Sequence, residues 1–479
     1  MFQFLTLATL VWGALAFGAE YSWAYAPLLV LCVTAGLLGL SISQGRHFPS
    51  GAVTGALVSL VIVGAFQLVP LPARAIAVVS PEAAAANYAE LYAKATMQRD
   101  AMAASSTPRS TLSIAPGRTL LGLVFLSVMT LLFVGSVRGM STVGPRDIAR
   151  GIMALGVLVA LLQVMQRANG SHIGYGFWSP PPTKIVESAP FINRNHTAGW
   201  LLMALGLSAG HFCGAVTGAL RAIKPDWRHR ILWLSSRDAS ETVLTGFAVA
   251  VIAIAIVATA SRSGAACLAL VVIAFGCWAG RALPSGPRRT IVIALLVVIL
   301  VAAVSIGGVE ILAVRLRATS WSNLDGRVGV WRDTLRIVRD FPLTGTGLNT
   351  YGIAMLHYQT VNDGYLYIES HNDYLQILAE GGLLLGVPIL ITAVLFITEI
   401  WRRFREAADD THTYWLRAGA VIGLCAIAIQ ELSDFTLQMP GAAALFVVLA
   451  AIAIHRPTHV SQPSRHASET RDGIAPNVE

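Results

Sequence analysis

Charge is what this 479-residue chain has least of, with 13% of its residues Asp, Glu, Lys or Arg against 55% apolar. Soluble domains carry about a quarter charged residues, so the composition is that of a polytopic membrane protein. Acidic residues are scarcer than basic ones, 26 against 34, which leaves a formal charge of +8. That excess does not point to nucleic acid, because the basic residues fall in short clusters between apolar runs and form no single stripe. Cysteine is sparse as well. Cys32, Cys213, Cys267, Cys277 and Cys425 all sit in apolar runs, odd in number and without metal-ligand spacing, so they imply packing and neither a disulfide framework nor a zinc site. The amino terminus lacks a basic leader and Ala14-Leu15-Ala16 matches a cleavage site poorly, so the first run reads as a retained span. No internal repeat is visible.

What is present is apolar length. Taking about 20 apolar residues as enough to cross roughly 30 Å of hydrocarbon, the chain predicts spans near 3–19, 25–42, 52–69, 119–137, 148–166, 196–220, 243–260, 264–280, 290–308, 383–400, 418–433 and 437–454. The fold class is therefore an all-α membrane protein of about twelve transmembrane helices. Alternate loops are the basic ones: Arg46, Arg138 with Arg146, the group from Arg221 to Arg237, Arg281 with Arg288 and Arg289, and Arg402 with Arg403 and Arg405. Basic loops stay in the cytoplasm, which puts both termini inside and predicts a multi-pass protein of the cytoplasmic (inner) membrane. The chain then divides into an N-terminal transmembrane region, 1–242, with outer loops 70–118 and 167–195, and a core, 243–454, with a large outer loop 308–382. A Pro-, Ser- and His-rich tail, 455–479, reads as disordered and cytoplasmic.

In the first outer loop Ser80-Pro81-Glu82 signals a helix start, and an Ala-rich helix is expected over 82–103, lying along the membrane boundary with Tyr88, Leu91, Tyr92 and Ala95 on one face. The second holds Tyr175, Phe177 and Trp178, then the extended Pro180-Pro181-Pro182. It ends in Asn193-Arg194-Asn195-His196, more polarity than anchoring at an interface needs.

The stretch from Ser261 to Gly386 is where chemistry is expected. Arg262 separates two apolar runs with no long loop around it, so it lies at the membrane surface as a planar fork suited to phosphate oxygens, unless it merely pairs with headgroups. Asp325-Gly326-Arg327 precedes Val328, Trp331, Leu335 and Val338 at helical spacing, predicting a short amphipathic helix that ends at Pro342. Arg327 is expected at its start, beside free backbone N–H groups that favour anions, with Arg332, Arg336 and Arg339 on the solvated face. Gly345-Thr346-Gly347 reads as a turn. Ser370-His371-Asn372-Asp373 matches a capping box, which would set His371 at the first helical position and favour its neutral form. A structural histidine bonded to a carbonyl is the competing reading.

These pieces together resemble the O-antigen ligase and O-antigen polymerase superfamily of polytopic glycosyltransferases. The resemblance is carried by Asn193-Arg194-Asn195-His196, Ser261-Arg262-Ser263-Gly264, Gly326-Arg327 with Trp331, Pro342 with Gly345 and Gly347, and His371-Asn372 with Leu375, Glu380 and Gly386. It implies a membrane-embedded glycosyltransferase fold and a polyprenyl-diphosphate-linked glycan donor, with a glycan or glycolipid acceptor, no cofactor and no metal. By motif position it implies Arg262, Arg327 and Arg194 on the diphosphate, His371 as base, and Asn195, Asn372 and Glu380 in support. A site facing outwards has no nucleotide sugars at hand, which independently favours a donor carried by lipid. Three acceptors stay open: another lipid-linked repeat, lipid A core, or a protein hydroxyl. A transporter or flippase is the alternative from another class, and would need ionisable residues within the spans, where they are scarce. Glu431 and Asp434 lie at the outer end of one span.

Overall fold

The computed structural model describes residues 1–42, 50–85, 109–168, 175, 178, 190–222, 235–283, 285–306, 321–361, 366–406 and 411–456. Most of the helix expected over 82–103, the triple proline, Arg315 and Arg317, and nearly all of the tail lie outside these. Among the described residues the chain is all-α apart from one two-stranded sheet. Its helices are α1 (Phe2–Leu15), α2 (Ser22–Ile42), α3 (Gly51–Phe66), α4 (Ala73–Val79), α5 (Pro116–Val143), α6 (Arg146–Ala168), α7 (Arg194–Ala222), α8 (Arg237–Ala258) and α9 (Arg262–Ala282). Then follow α10 (Pro287–Ile306), α11 (Trp321–Asp340), α12 (Tyr351–Tyr358), α13 (Asp373–Glu406), α14 (Thr411–Gln430) and α15 (Pro440–Ile454). Among the described residues nine helices are long and apolar enough to span a membrane, and three more, α1, α3 and α15, are apolar but shorter. Each predicted run overlaps one of these helices, and length and composition support nine of them as spans.

Local signals start these helices where the sequence places them. Pro116 and Pro440 open α5 and α15 at positions where a missing N–H costs nothing. Ser236 and Ser261 cap α8 and α9, their side chains accepting from Ala239 N at 3.2 Å and Gly264 N at 3.2 Å. Packing among the spans relies on close backbone approach. The most buried span is α7, which crosses α14 where Gly206 and Gly210 face Gly419 and Gly423, and no side chain would fit between.

Segments between the spans build a second, smaller core. Strand β1 (Leu71–Pro72) pairs antiparallel with β2 (Arg109–Ser110), and Ile76, Leu112, Val330, Ile337, Phe341, Tyr351 and Met355 are buried together. Helix α11 runs from Trp321, so it begins earlier than the Asp325 signal suggested. Its buried face is Val330, Asp333, Thr334 and Ile337, whereas Val328 and Leu335 are exposed. The predicted face was wrong because burial is set by what α11 meets across this second core, which includes a buried Asp333 that accepts from Thr360 N and Oγ1 at 2.8 Å each. Arg332, Arg336 and Arg339 are exposed, as expected.

Helix α13 is broken at Gly382 (φ 53°), and the segment after α11 is seated in the break. Thr346 N donates to Ala379 O and Gly347 N to Glu380 O, each at 2.9 Å, while Leu383 N and Leu384 N donate to Pro342 O and Leu343 O at 2.9 and 2.8 Å. Gly345 (φ 63°) lies so close to the Glu380 backbone that a Cβ there would collide with it. Gln67, buried just past α3, closes the seam by donating to Thr344 O and Glu380 O and accepting from Leu348 N. Irregular backbone is tolerated in a spanning helix where protein satisfies its polar groups.

Candidate functional site

At one end of the bundle the starts of α7, α9 and α13, the end of α14 and the link from Glu431 to Met439 come together with α11. The site is built around that link. Ser433 O accepts from Arg327 Nη1 at 2.7 Å, Leu432 O from Asn372 Nδ2 at 3.0 Å, and Glu431 O from Asp373 N at 3.2 Å. Gln438 Nε2 donates to Asp373 Oδ1 at 3.0 Å. From the other side Gln430 Nε2 donates to Asn195 O at 3.0 Å, and Asn195 Oδ1 accepts from Ser261 Oγ at 2.8 Å, immediately before Arg262. Arg194 and Arg262 are the first residues of α7 and α9, the former half-buried and the latter exposed.

His371 is not where a capping box would put it. Helix α13 starts at Asp373, with Asn372 Oδ1 accepting from Leu375 N at 3.0 Å, so Asn372 is the cap. Ser370 Oγ instead brackets Asn372, donating to its O and accepting from its N. His371 lies before the helix in the left-handed region, φ 55°, which a residue with a β-carbon occupies only when its surroundings hold it there. Its ring packs edge-on against Phe435, centroids 4.8 Å apart, and Phe435 in turn meets the His196 ring at 4.6 Å. His371 Nδ1 has no hydrogen-bond partner among the described residues. Burial, with the positive charge of Arg327 adding to it, holds the imidazole down to about 4, so it is neutral near pH 7. The neutral form was expected from the sequence, but its cause is desolvation and not a helix terminus.

Arg327 also departs from expectation. With α11 beginning at Trp321 it sits well inside the helix, away from free N–H groups, and it is half-buried and aimed at the link. Glu380 stands apart from the group. Its carboxylate accepts from Asn349 N at 2.8 Å and Tyr351 N at 3.0 Å, which ties α13 to the start of α12.

Two acids that sequence reasoning left at a span end prove central in position. Asp434 is fully buried, its Oδ1 3.6 Å from His196 Nε2 and accepting from Phe435 N at 2.9 Å. Burial pushes it up to about 6, against the Phe435 N–H and the charges of Arg327 and Arg194. Glu431 is buried too and raised, first by desolvation and then by the charge of Asp373. The signal was available in Gln430-Glu431-Leu432-Ser433-Asp434-Phe435, a hexad with four polar residues between two apolar runs, too short to be a surface loop. Glu369 is raised by burial to about 8, its carboxylate accepting from Gln376 Nε2 at 2.7 Å. No three His, Cys, Asp or Glu among the described residues are arranged to hold a metal ion.

Arginines, a neutral histidine and buried acids thus gather at one end of a largely helical chain that has nine helices, among the described residues, long and apolar enough to cross a membrane. Residues 247–390 match the family model described as O-antigen ligase, which supports the resemblance to the O-antigen ligase and polymerase superfamily. The matched segment contains Arg262, Arg327, His371, Asn372 and Glu380, while Arg194, Asn195, Glu431 and Asp434 lie outside it. No curated protein matches the chain significantly.

Proposed function

We propose that this protein transfers a polyprenyl-diphosphate-linked oligo- or polysaccharide to a hydroxyl of a glycan or glycolipid acceptor, at the extracytoplasmic face and without a bound metal. The observation that supports this reading best is that Arg327 and His371, far apart in sequence, share the 431–439 link, one through Ser433 O and the other through the Phe435 ring. The acceptor oxygen bonds to the anomeric carbon, and the bond from that carbon to the diphosphate oxygen breaks. The hydroxyl proton passes to His371 and on to the departing diphosphate or water. Arg262 and Arg327, with Arg194 beside them, take up the charge that develops on the leaving diphosphate.

Charge-assisted hydrogen bonds of about 1.5–3 kcal/mol mean that alanine at Arg262 or Arg327 costs roughly 10- to 150-fold in rate or donor affinity. His371→Ala lowers turnover and leaves donor binding near wild type, since the base meets only the acceptor. Donor binding and turnover measured on the same purified, folded variants decide the matter. Normal turnover in His371→Ala, or a loss of donor binding there like that of the arginine variants, overturns the assignment. The orientation is checked with an impermeant thiol reagent on cells, in a background lacking the exposed Cys277 and Cys425. Cysteine at Arg339 reacts and cysteine at Ser285 does not; the reverse pattern inverts the site to the cytoplasm.

A further inference from the structure

Three hydrogen bonds close a ring around His371. Arg327 Nη1 reaches Ser433 O at 2.7 Å, Asn372 Nδ2 reaches Leu432 O at 3.0 Å, and Trp331 Nε1 reaches Ser370 O at 3.1 Å. The ring passes from α11 to the turn before α13, from that turn to the 431–439 link, and from the link back to α11. Two of its members, Arg327 and Trp331, are one helical turn apart on α11, about 6 Å along the axis and on one face. We propose that Trp331 is a positioning residue for His371, and that α11 serves as a ruler setting the separation between the arginine clamp and the base. This inference rests on the roles given above to Arg327 and His371.

The carbonyl that Trp331 holds belongs to the residue directly before His371, whose left-handed backbone is one that local preference alone does not maintain. The other restraints on that carbonyl's residue, Ser370 N to Gln376 Oε1 at 3.0 Å and the Ser370 Oγ contacts with Asn372, come from α13's own start and carry no information about α11. The imidazole Nδ1 has no partner among the described residues to aim the ring. Its aim is therefore set through the backbone and the rings of Phe435 and Tyr367, whose centroids lie 4.8 and 6.2 Å away, and the indole N–H ties this backbone to the helix bearing Arg327. When a diphosphate draws Arg327 away from Ser433 O, the Trp331 and Asn372 bonds keep the histidine in register with it.

A double-mutant cycle separates this from mere packing. Trp331→Phe keeps a ring and removes the N–H, and should lower turnover about 2- to 13-fold, the fold-change of one ordinary hydrogen bond, with donor affinity unchanged. In a His371→Ala background the same substitution should have no further effect, because it acts through the histidine. Trp331→His, a smaller ring that still offers an N–H, should retain more turnover than Trp331→Phe. Equal losses in both backgrounds, an unaffected Trp331→Phe, or a Trp331→His no better than Trp331→Phe overturns the positioning role. If the cycle's His371→Ala arm is itself fully active, the base assignment has failed, a result distinct from failure of the ruler.

Discussion

The two ends of α13, α14 and α15 hold charge in opposite ways. At the end remote from His371, Arg403 and Arg417 are almost wholly buried, and all three nitrogens of Arg417 and both Nη of Arg403 go to fixed protein acceptors, while Arg403 Nε and His455 Nε2 have no partner among the described residues. Arg417 donates through Nε to Ala453 O at 2.9 Å, Nη1 to Arg403 O at 3.2 Å and Nη2 to His455 O at 3.0 Å. Arg403 pairs with Glu399 and Glu406, and Glu399 accepts from Ser50 Oγ at 2.7 Å. At the other end Arg327 is half-buried, Arg262 is exposed, and the buried groups are acids and a histidine with an unmet nitrogen. The lesson is that residue type does not mark a ligand site. Arginines that cap helix carbonyls from inside the protein are staples, whereas the arginines proposed to meet the donor stand at a surface beside raised carboxyls and a neutral imidazole.

The widest gap should come from Arg417→Ala. It strands three buried carbonyls at about 1–3 kcal/mol each, so it should cost about 3 kcal/mol of stability or more, read as a lower unfolding temperature in detergent. The folded fraction should bind donor as wild type does. A normal unfolding temperature with lost turnover would mean that the staple end works in the reaction, and the contrast would collapse.

A smaller effect concerns pH. A solvated histidine titrates near 6.5, but burial and Arg327 both disfavour the imidazolium of His371, so it keeps its base form down to about pH 4. The acid limb of kcat/KM, which reports the free enzyme, should therefore lie well below 6.5 and rise in Arg327→Gln as the second cause is removed. Between those two values the unfolded chain binds the proton and the native one does not, so this group makes stability increase with pH across that window and adds nothing above it. An acid limb at 6.5 would place His371 in water. The smallest expected effect is that of a chelator, which should leave turnover in detergent unchanged; loss restored by a divalent ion would turn attention to carboxylates such as Glu369 and Glu431 as ligands.

Much of the fold was legible because apolar run length is a local property: a run of about 20 such residues must be helical in lipid, whatever its neighbours. The signals that start helices at Ser261, Pro116 and Pro440 are equally local, since a capping oxygen or a missing N–H acts within one turn, although run length alone placed these starts near 264, 119 and 437. The placement of Arg194, Arg262 and His371 at helix beginnings followed from the same logic, to within a residue or two. Other features were beyond that reach. Ser370 and Asp373 look like a capping box until Leu432 O offers Asn372 a partner 60 residues away, and the chain then turns left-handed at His371. The face of α11 depended on Ile76 and Tyr351, and the insertion of 342–347 on a break in α13 and on Gln67. The sequence by itself determined where the chain would be helical and which residues would stand at helix ends. Only the tertiary structure decided which of those ends meet, because the hydrogen bonds that join Arg327, Asn372 and Asn195 to the 430–439 segment are made between groups whose sequence separation carries no pattern.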